Sequence, residues 1–305
     1  MKFKVAGHIF RIRGIGSCRS VFERYEASYG PFVFDSNGQT GERLLFDLEL
    51  TCDAVEWEAA EKVYSNDRDV EAGNIRIVVY RSAKGHFFEF SNPQGTQVNA
   101  RLAVSDDLTQ ARLSLHGSDA DQWAVFNTAV NFCYLLSSAE HQTLLVHASC
   151  VGYRGKAYLF LGKSGTGKST HSRMWLNALK GAELMNDDHP IIRINGDGVP
   201  VAYGSPWSGK TSCYKNVEAP VGGVVRISRA SFNKARRLSV IESYGSLVAG
   251  CSGMTWEKNL ADGRDRSIQG VINSVPCWIM ECLPNEDAAL VCAKTVVEEQ
   301  LCRKR

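Results

Sequence analysis

One eight-residue stretch constrains this chain more than any other. Gly162-Lys163-Ser164-Gly165-Thr166-Gly167-Lys168-Ser169 matches the pattern G-x-x-x-x-G-K-[ST] at every defined position. An apolar run from Lys156 to Leu161 leads into it and reads as a strand. Ser169 to Lys180 leaves it as an amphipathic helix, with Gly181 as the expected C′ residue. Strand, loop and helix in that order are the context the pattern requires. The glycines let backbone N–H groups turn inward on phosphate oxygens, and the helix presents the positive end of its dipole to the same anion. Lys168 adds a compact positive charge, and the Ser169 hydroxyl suits a magnesium ion. The candidate nucleotide-binding residues are therefore Gly162, Lys163, Ser164, Gly165, Thr166, Gly167, Lys168, Ser169 and the following Thr170.

The next strand, Glu183 to Met185, runs into Asn186-Asp187-Asp188. One carboxylate there can hold magnesium opposite Ser169, and a second can take a proton from an attacking hydroxyl. A solvated turn before Pro190 is the plainer reading of two adjacent aspartates, and only their place directly after the loop helix favours chemistry. A guanine-reading N-K-x-D motif is lacking, since Asn233-Lys234-Ala235-Arg236 has no aspartate. That disfavours a regulatory GTPase.

With 305 residues, 44% of them hydrophobic and a net charge of +2, the chain is sized for one large or two modest domains. A near-neutral charge gives no field suited to nucleic acid. The ten cysteines include no C-x-x-C pair, so reduced, mostly buried thiols are expected rather than a zinc site or a disulfide framework. The N-terminus has no signal-peptide core and no segment is apolar enough to span a membrane. A soluble cytoplasmic protein with no nucleic-acid or membrane partner is expected.

Residues 1–116 read as a β-rich N-terminal region. Ile75–Tyr80 and His86–Phe90 alternate as strands do, and turns fall at Ser36-Asn37-Gly38 and Ala72-Gly73-Asn74. Glu56 to Val63 is left open between helix and strand. Ser118 is an expected N-cap for a helix carrying Trp123, Phe126, Val130 and Cys133 at helical spacing, a packing stripe. Residues 117–305 read as the second domain, with further strands at Ile191–Ile194, Val224–Ile227 and Trp278–Cys282 and a closing helix from Glu286 to Leu301.

The loop, the acid pair on the very next strand, and His147-Ala148-Ser149 upstream resemble the HPr kinase/phosphorylase family and its HPr-kinase-like relatives. The match runs from about Leu144 to Pro190 and continues more loosely through Pro206-Trp207-Ser208-Gly209-Lys210 and Val275-Pro276-Cys277-Trp278. The resemblance implies an α/β fold: a P-loop kinase domain with a mixed sheet, sharing the phosphoenolpyruvate carboxykinase-type core. It implies ATP and magnesium, with Lys168 on the β- and γ-phosphates and Ser169 and Asp188 on the metal. Asp187 would be the base that deprotonates the acceptor, with His147 beside it; the two aspartates could exchange roles. The family's multimeric habit suggests a homo-oligomer. Residues 203–210 contain no acidic residue, so the resemblance does not extend to the reverse, phosphorylase reaction.

The function expected is a kinase that transfers the γ-phosphoryl group of ATP to a serine-type hydroxyl of a protein or peptide. The alternatives are a small-molecule kinase or carboxykinase-like enzyme, and a non-catalytic nucleotide-dependent binding module. Lys210 and the basic group Arg226, Arg229, Lys234, Arg236 and Arg237 could meet phosphate or simply be solvated, and Trp207 and Trp256 read as packing under loops.

Overall fold

Period-two alternation sorts the side chains of the N-terminal strands onto two faces. A computed structural model describes residues 1–35, 41–57, 59–66, 75–209 and 211–302. The turns expected at 36–38 and 72–74, and Lys210, lie outside the described residues. Contacts divide the chain into two units, Met1–Ser138 with Met254–Glu257, and Ala139–Gly253 with Lys258–Arg305.

The first unit holds β1 (Lys2–Val5), β2 (His8–Arg13), β3 (Asp47–Thr51), β4 (Glu61–Ser65), β5 (Arg76–Ser82), β6 (Gly85–Ser91), β7 (Val98–Ser105) and β8 (Gln110–Leu115). Its helices are α1 (Arg19–Phe22), α2 (Tyr25–Tyr29) and α3 (Asp119–Ser138). The strands form one mixed sheet in the order β1-β2-β3-β8-β7-β6-β5-β4, so the segment left open around Glu56–Val63 contributes an edge strand. Phe88 and Phe90 point inward to Phe132 of α3, and Phe10 stacks on Phe46 at 4.8 Å. Ser118 caps α3, accepting from the Asp121 N–H at 3.3 Å. Phe126, Val130 and Cys133 are fully buried, as the packing stripe requires. Contacts group α3 with this unit and draw the boundary at 138, whereas the sequence reading drew it at 116, because the helix's apolar stripe packs on β7 and β8.

The second unit is a mixed sheet with helices on both faces, a three-layer α/β arrangement. Its strands are β9 (Thr143–Leu145), β10 (Ala148–Tyr153), β11 (Lys156–Leu161), β12 (Glu183–Asp188), β13 (Ile191–Ile194), β14 (Pro200–Tyr203), β15 (Glu218–Arg229), β16 (Lys234–Arg237) and β17 (Cys277–Cys282). The helices are α4 (Lys168–Ala178), α5 (Val240–Gly250), α6 (Lys258–Ser274) and α7 (Glu286–Cys302). β11, β15 and β17 run parallel, and β10 is antiparallel to both β11 and β12.

Strands buried on both faces read as continuous apolar runs, and β11 shows why. Ala157, Leu159 and Leu161 join a core under α5 and α6, with Leu247, Ile268 and Val271. Tyr158 and Phe160 join a second core under α4 and α7, with Trp175, Trp278 and Val296. The sequence reading assigned nothing at 240–250 or 258–274, although Ser239 and Glu242 form a reciprocal capping box at the start of α5. Gly181 is not the C′ residue expected: α4 ends at Ala178 with Leu179 extended as its C-cap, and Gly181 takes its left-handed φ of 87° in the turn beyond.

Trp278 is fully buried and fits only because Gly223 has no side chain; a Cβ there would lie 2.5 Å from its ring. Trp278→Ala should lower the unfolding free energy of this unit by about 3–5 kcal/mol, read from the shift of its denaturant midpoint.

Candidate functional site

The pairing register of three neighbouring strands builds the site. Ala148 stands opposite Leu161 on one side and opposite Asp188 on the other. One step further along, the phosphate loop leaves β11 at Gly162 and the chain enters β10 from His147. Loop, histidine and acid pair therefore share one rim of the sheet, at the carboxyl ends of β11 and β12, where open α/β sheets bind ligands.

Within the loop, Gly162, Gly165 and Gly167 all have positive φ, at 155°, 75° and 107°. Gly162 must be glycine on a second ground: a Cβ would lie 2.5 Å from Thr166 Oγ1. Thr166 braces the turn by donating from Oγ1 to the Lys163 carbonyl at 2.8 Å. Gly167 is the N-cap of α4, so Lys168 and Ser169 open the helix as the sequence predicts. Ser169 and Thr170 are exposed in its first turn, as are Lys163, Ser164 and Gly165 in the loop.

Lys168 is only 9% exposed, and its ammonium donates to the Gly162 carbonyl at 2.9 Å and to His147 Nε2 at 3.1 Å. Burial lowers its pKa, against the pull of Asp188 and Asp187. Burial and the neighbouring Lys168 charge likewise lower that of His147. A neutral ring whose Nε2 already accepts from the ammonium does not form an ion pair, so its 3.5 Å approach to Asp188 is contact without charge pairing.

The resemblance placed His147 beside Asp187, but the carboxylate it meets is that of Asp188. The difference follows from strand alternation. Both aspartates belong to β12 rather than to a turn after it, so their side chains leave on opposite faces. Asp187 pairs with Ser149, whose hydroxyl accepts from Ser172 of α4 at 2.6 Å, so it lies on the α4 face. The residue is 5% exposed, and its carboxylate has no hydrogen bond or ion pair among the described residues and is not among the buried unpaired groups. Asp188 bonds His189, whose Nδ1 lies 3.0 Å from Oδ2. Burial would raise the Asp188 pKa, but the His189 hydrogen bond and the electrostatic influence of His189, His147 and Lys168 hold it below the usual carboxylate range.

A network built on the fully buried Asn186 and Ser205 fixes this corner. Asn186 donates to the Trp207 carbonyl at 3.0 Å and accepts from the His189 N–H at 2.9 Å. Ser205 donates to the His189 carbonyl at 2.6 Å, and the Gly209 N–H donates to the Asp187 carbonyl at 2.7 Å. Trp207 is buried as packing, as expected. His189 was not singled out in the sequence; its signal was a titratable ring directly after the acid pair, stacked in the structure on His147 with ring centroids 5.9 Å apart.

Beside the loop a cleft of about 440 Å³ opens between α4 and the ends of β15 and β17, lined by Thr170, His171, Met174, Ile227, Arg229 and Leu283. Of the basic group, Arg229 reaches the loop and donates to the Gly165 carbonyl. Arg236 instead pairs with Glu242, and Arg237 lies over the Trp278 ring at 4.9 Å. The cysteines from Cys18 to Cys292 are free, and among the described residues no helix is long and apolar enough to cross a membrane.

Ser169 and Asp188 are hard oxygen donors, the set from which magnesium takes one or two protein ligands beside substrate phosphates. Among the described residues no three His, Cys, Asp or Glu side chains converge as an all-protein cage. By donor chemistry the residues present fit magnesium held jointly with a phosphate.

His171 of α4 is 1% exposed, and burial pushes its pKa down from 6.5 to about 4. Its folded-state pKa is depressed, so between those values the unfolded chain binds a proton that the folded chain does not. Stability should therefore be lost as pH falls from 6.5 to 4 and be restored above 6.5. At about 1.4 kcal/mol per unit, the 2.5-unit window amounts to about 3 kcal/mol. Denaturant midpoints at pH 7 and pH 4 should show this slope in the wild type and a smaller one in His171→Gln.

No protein-family model matches the chain, and no curated protein does. Among solved structures it is similar to the HPr(Ser) kinase/phosphatase from Coxiella burnetii, at 10% identity and a TM-score of 0.33. That likeness covers 52% of this chain and 92% of the other.

Proposed function

We propose that this chain is an ATP- and magnesium-dependent phosphotransferase that moves the γ-phosphoryl group to a serine-type hydroxyl of a protein or peptide. The observation that carries the reading is the shared rim. It has a phosphate loop, a buried ammonium at its base, and on the α4 face a carboxylate with no hydrogen bond or ion pair among the described residues. A binding module needs the first two, whereas a second carboxylate free of protein partners beside the loop suits acceptance of a proton.

In this reading the loop amides and the α4 dipole orient the triphosphate, and Lys168 exchanges its contacts with Gly162 and His147 for β- and γ-phosphate oxygens. Exchange is inexpensive because both present partners are neutral. Magnesium, held by Ser169 and Asp188, supplies charge neutralisation across the phosphates. Asp187 accepts the hydroxyl proton as the acceptor oxygen attacks in line. His147 and His189 flank Asp188 and fix its orientation.

The purified chain should transfer label from γ-labelled ATP to an acceptor in lysate from its source, and Lys168→Ala should abolish the transfer. Asp187→Asn should lower kcat by about 10²–10⁴-fold with little change in ATP affinity. Undiminished transfer by Asp187→Asn would sink the base assignment. Label released only as free phosphate would sink the phosphotransferase reading, and label on a metabolite would change the acceptor class.

A further inference from the structure

One polar group in the cleft beside the loop has no part in the phosphate chemistry. His171 lies one turn into α4, where helical spacing with Trp175 marks it as core. Its Nε2 accepts from the Trp175 indole N–H at 3.2 Å, and Phe160 packs edge-on against the ring at 4.8 Å. An indole nitrogen can only donate, so Nε2 carries the lone pair and the proton of the neutral ring sits on Nδ1. The tautomer is thus set by Trp175. Nδ1 is buried and has no hydrogen-bond partner among the described residues, yet His171 lines the cleft. A buried donor left unpaired is costly, and a ligand acceptor in the cleft removes that cost.

The cleft begins at Gly165, Thr166 and Gly167, where a triphosphate would leave the loop. Its walls are largely apolar, with Met174, Ile227, Leu283 and Pro284. Its volume falls in the range of small-ligand pockets. Thr170, Ser228 and Arg229 also line the cleft, but largely apolar walls with an oriented donor suit a nucleoside better than an inorganic phosphate chain. We propose that the cleft seats the nucleoside of the phosphoryl donor and that His171 Nδ1–H donates to an acceptor atom on it. The donor is then a nucleoside triphosphate, and inorganic pyrophosphate or polyphosphate is discriminated against. This rests on the phosphate loop holding the donor's phosphates, as in the function proposed above.

Calorimetric titration of the full chain with magnesium and either ATP or inorganic tripolyphosphate tests it. The wild type should bind ATP at least tenfold more tightly than tripolyphosphate. His171→Gln keeps an acceptor for Trp175 but removes the Nδ1 donor. It should weaken ATP about tenfold and leave tripolyphosphate binding as in the wild type. His171→Asn, whose amide can donate from the Nδ1 position, should recover part of the loss. Ribose 5-triphosphate separates the two acceptor sources: sensitivity to His171→Gln assigns the bond to the ribose, and behaviour like tripolyphosphate assigns it to the base. Nitrogen-15 histidine spectra of the wild type give a readout that needs no variant, because ATP should shift the His171 Nδ1–H signal and tripolyphosphate should not. Equal affinity for ATP and tripolyphosphate, or an Nδ1–H signal indifferent to ATP, overturns the inference while leaving the loop intact. Failure of both ligands to bind would overturn the proposed function as well.

Discussion

Leu161, Ala148 and Asp188 stand side by side on three hydrogen-bonded strands, and the rim above them inherits its geometry from that register. A slip of one residue in β12 would exchange the faces of Asp187 and Asp188 and turn the unpartnered carboxylate away from α4. The register is held from below by apolar side chains on both faces of β10 and β11, so a slip would also bury the wrong set. From above it is held by Asn186 and Ser205, both fully buried, which tie the end of β12 to the segment at 205–209. Core packing and site geometry are one constraint here rather than two.

The rim concentrates polar groups that are expensive to bury. Lys168, His147, Asp188 and His189 share charge and hydrogen bonds along a short chain. The ammonium donates to the His147 imidazole, His147 lies against Asp188 without a charge pair, and His189 meets the Asp188 carboxylate at 3.0 Å. Such a network is stable when every member is paired and costly when one is not. Asp187 stands outside it, on the other face of the same strand. With no hydrogen bond or ion pair among the described residues, its carboxylate is left available to a ligand, which is why it bears more weight in the functional reading than the paired residues around it.

The phosphate loop was legible in the sequence because its requirements are local. Positive φ at Gly162, Gly165 and Gly167 and the start of a helix at Lys168 follow from residues in contact along the chain. The same holds for β11, predicted at Lys156–Leu161 and found there, and for β13 at Ile191–Ile194. Helices α5 and α6 escaped notice because their apolar faces are interrupted by serines, glycines and charges, and their burial depends on a sheet formed elsewhere in the sequence. The extent of β12 escaped for a related reason: Asn186-Asp187-Asp188 reads as a turn by composition and becomes strand only because β10 pairs with it.

The sequence by itself determined that a strand, a glycine loop and a helix would present a lysine and a hydroxyl to a phosphate, since those residues are neighbours in the chain. Only the tertiary structure decided which aspartate faces α4 and which meets His147, that His189 completes the pair, and that Trp175 leaves His171 with an unpaired donor in a cleft. Those outcomes depend on strand alternation, register and burial. All three are set by partners distant in sequence, and a one-dimensional pattern carries no record of them.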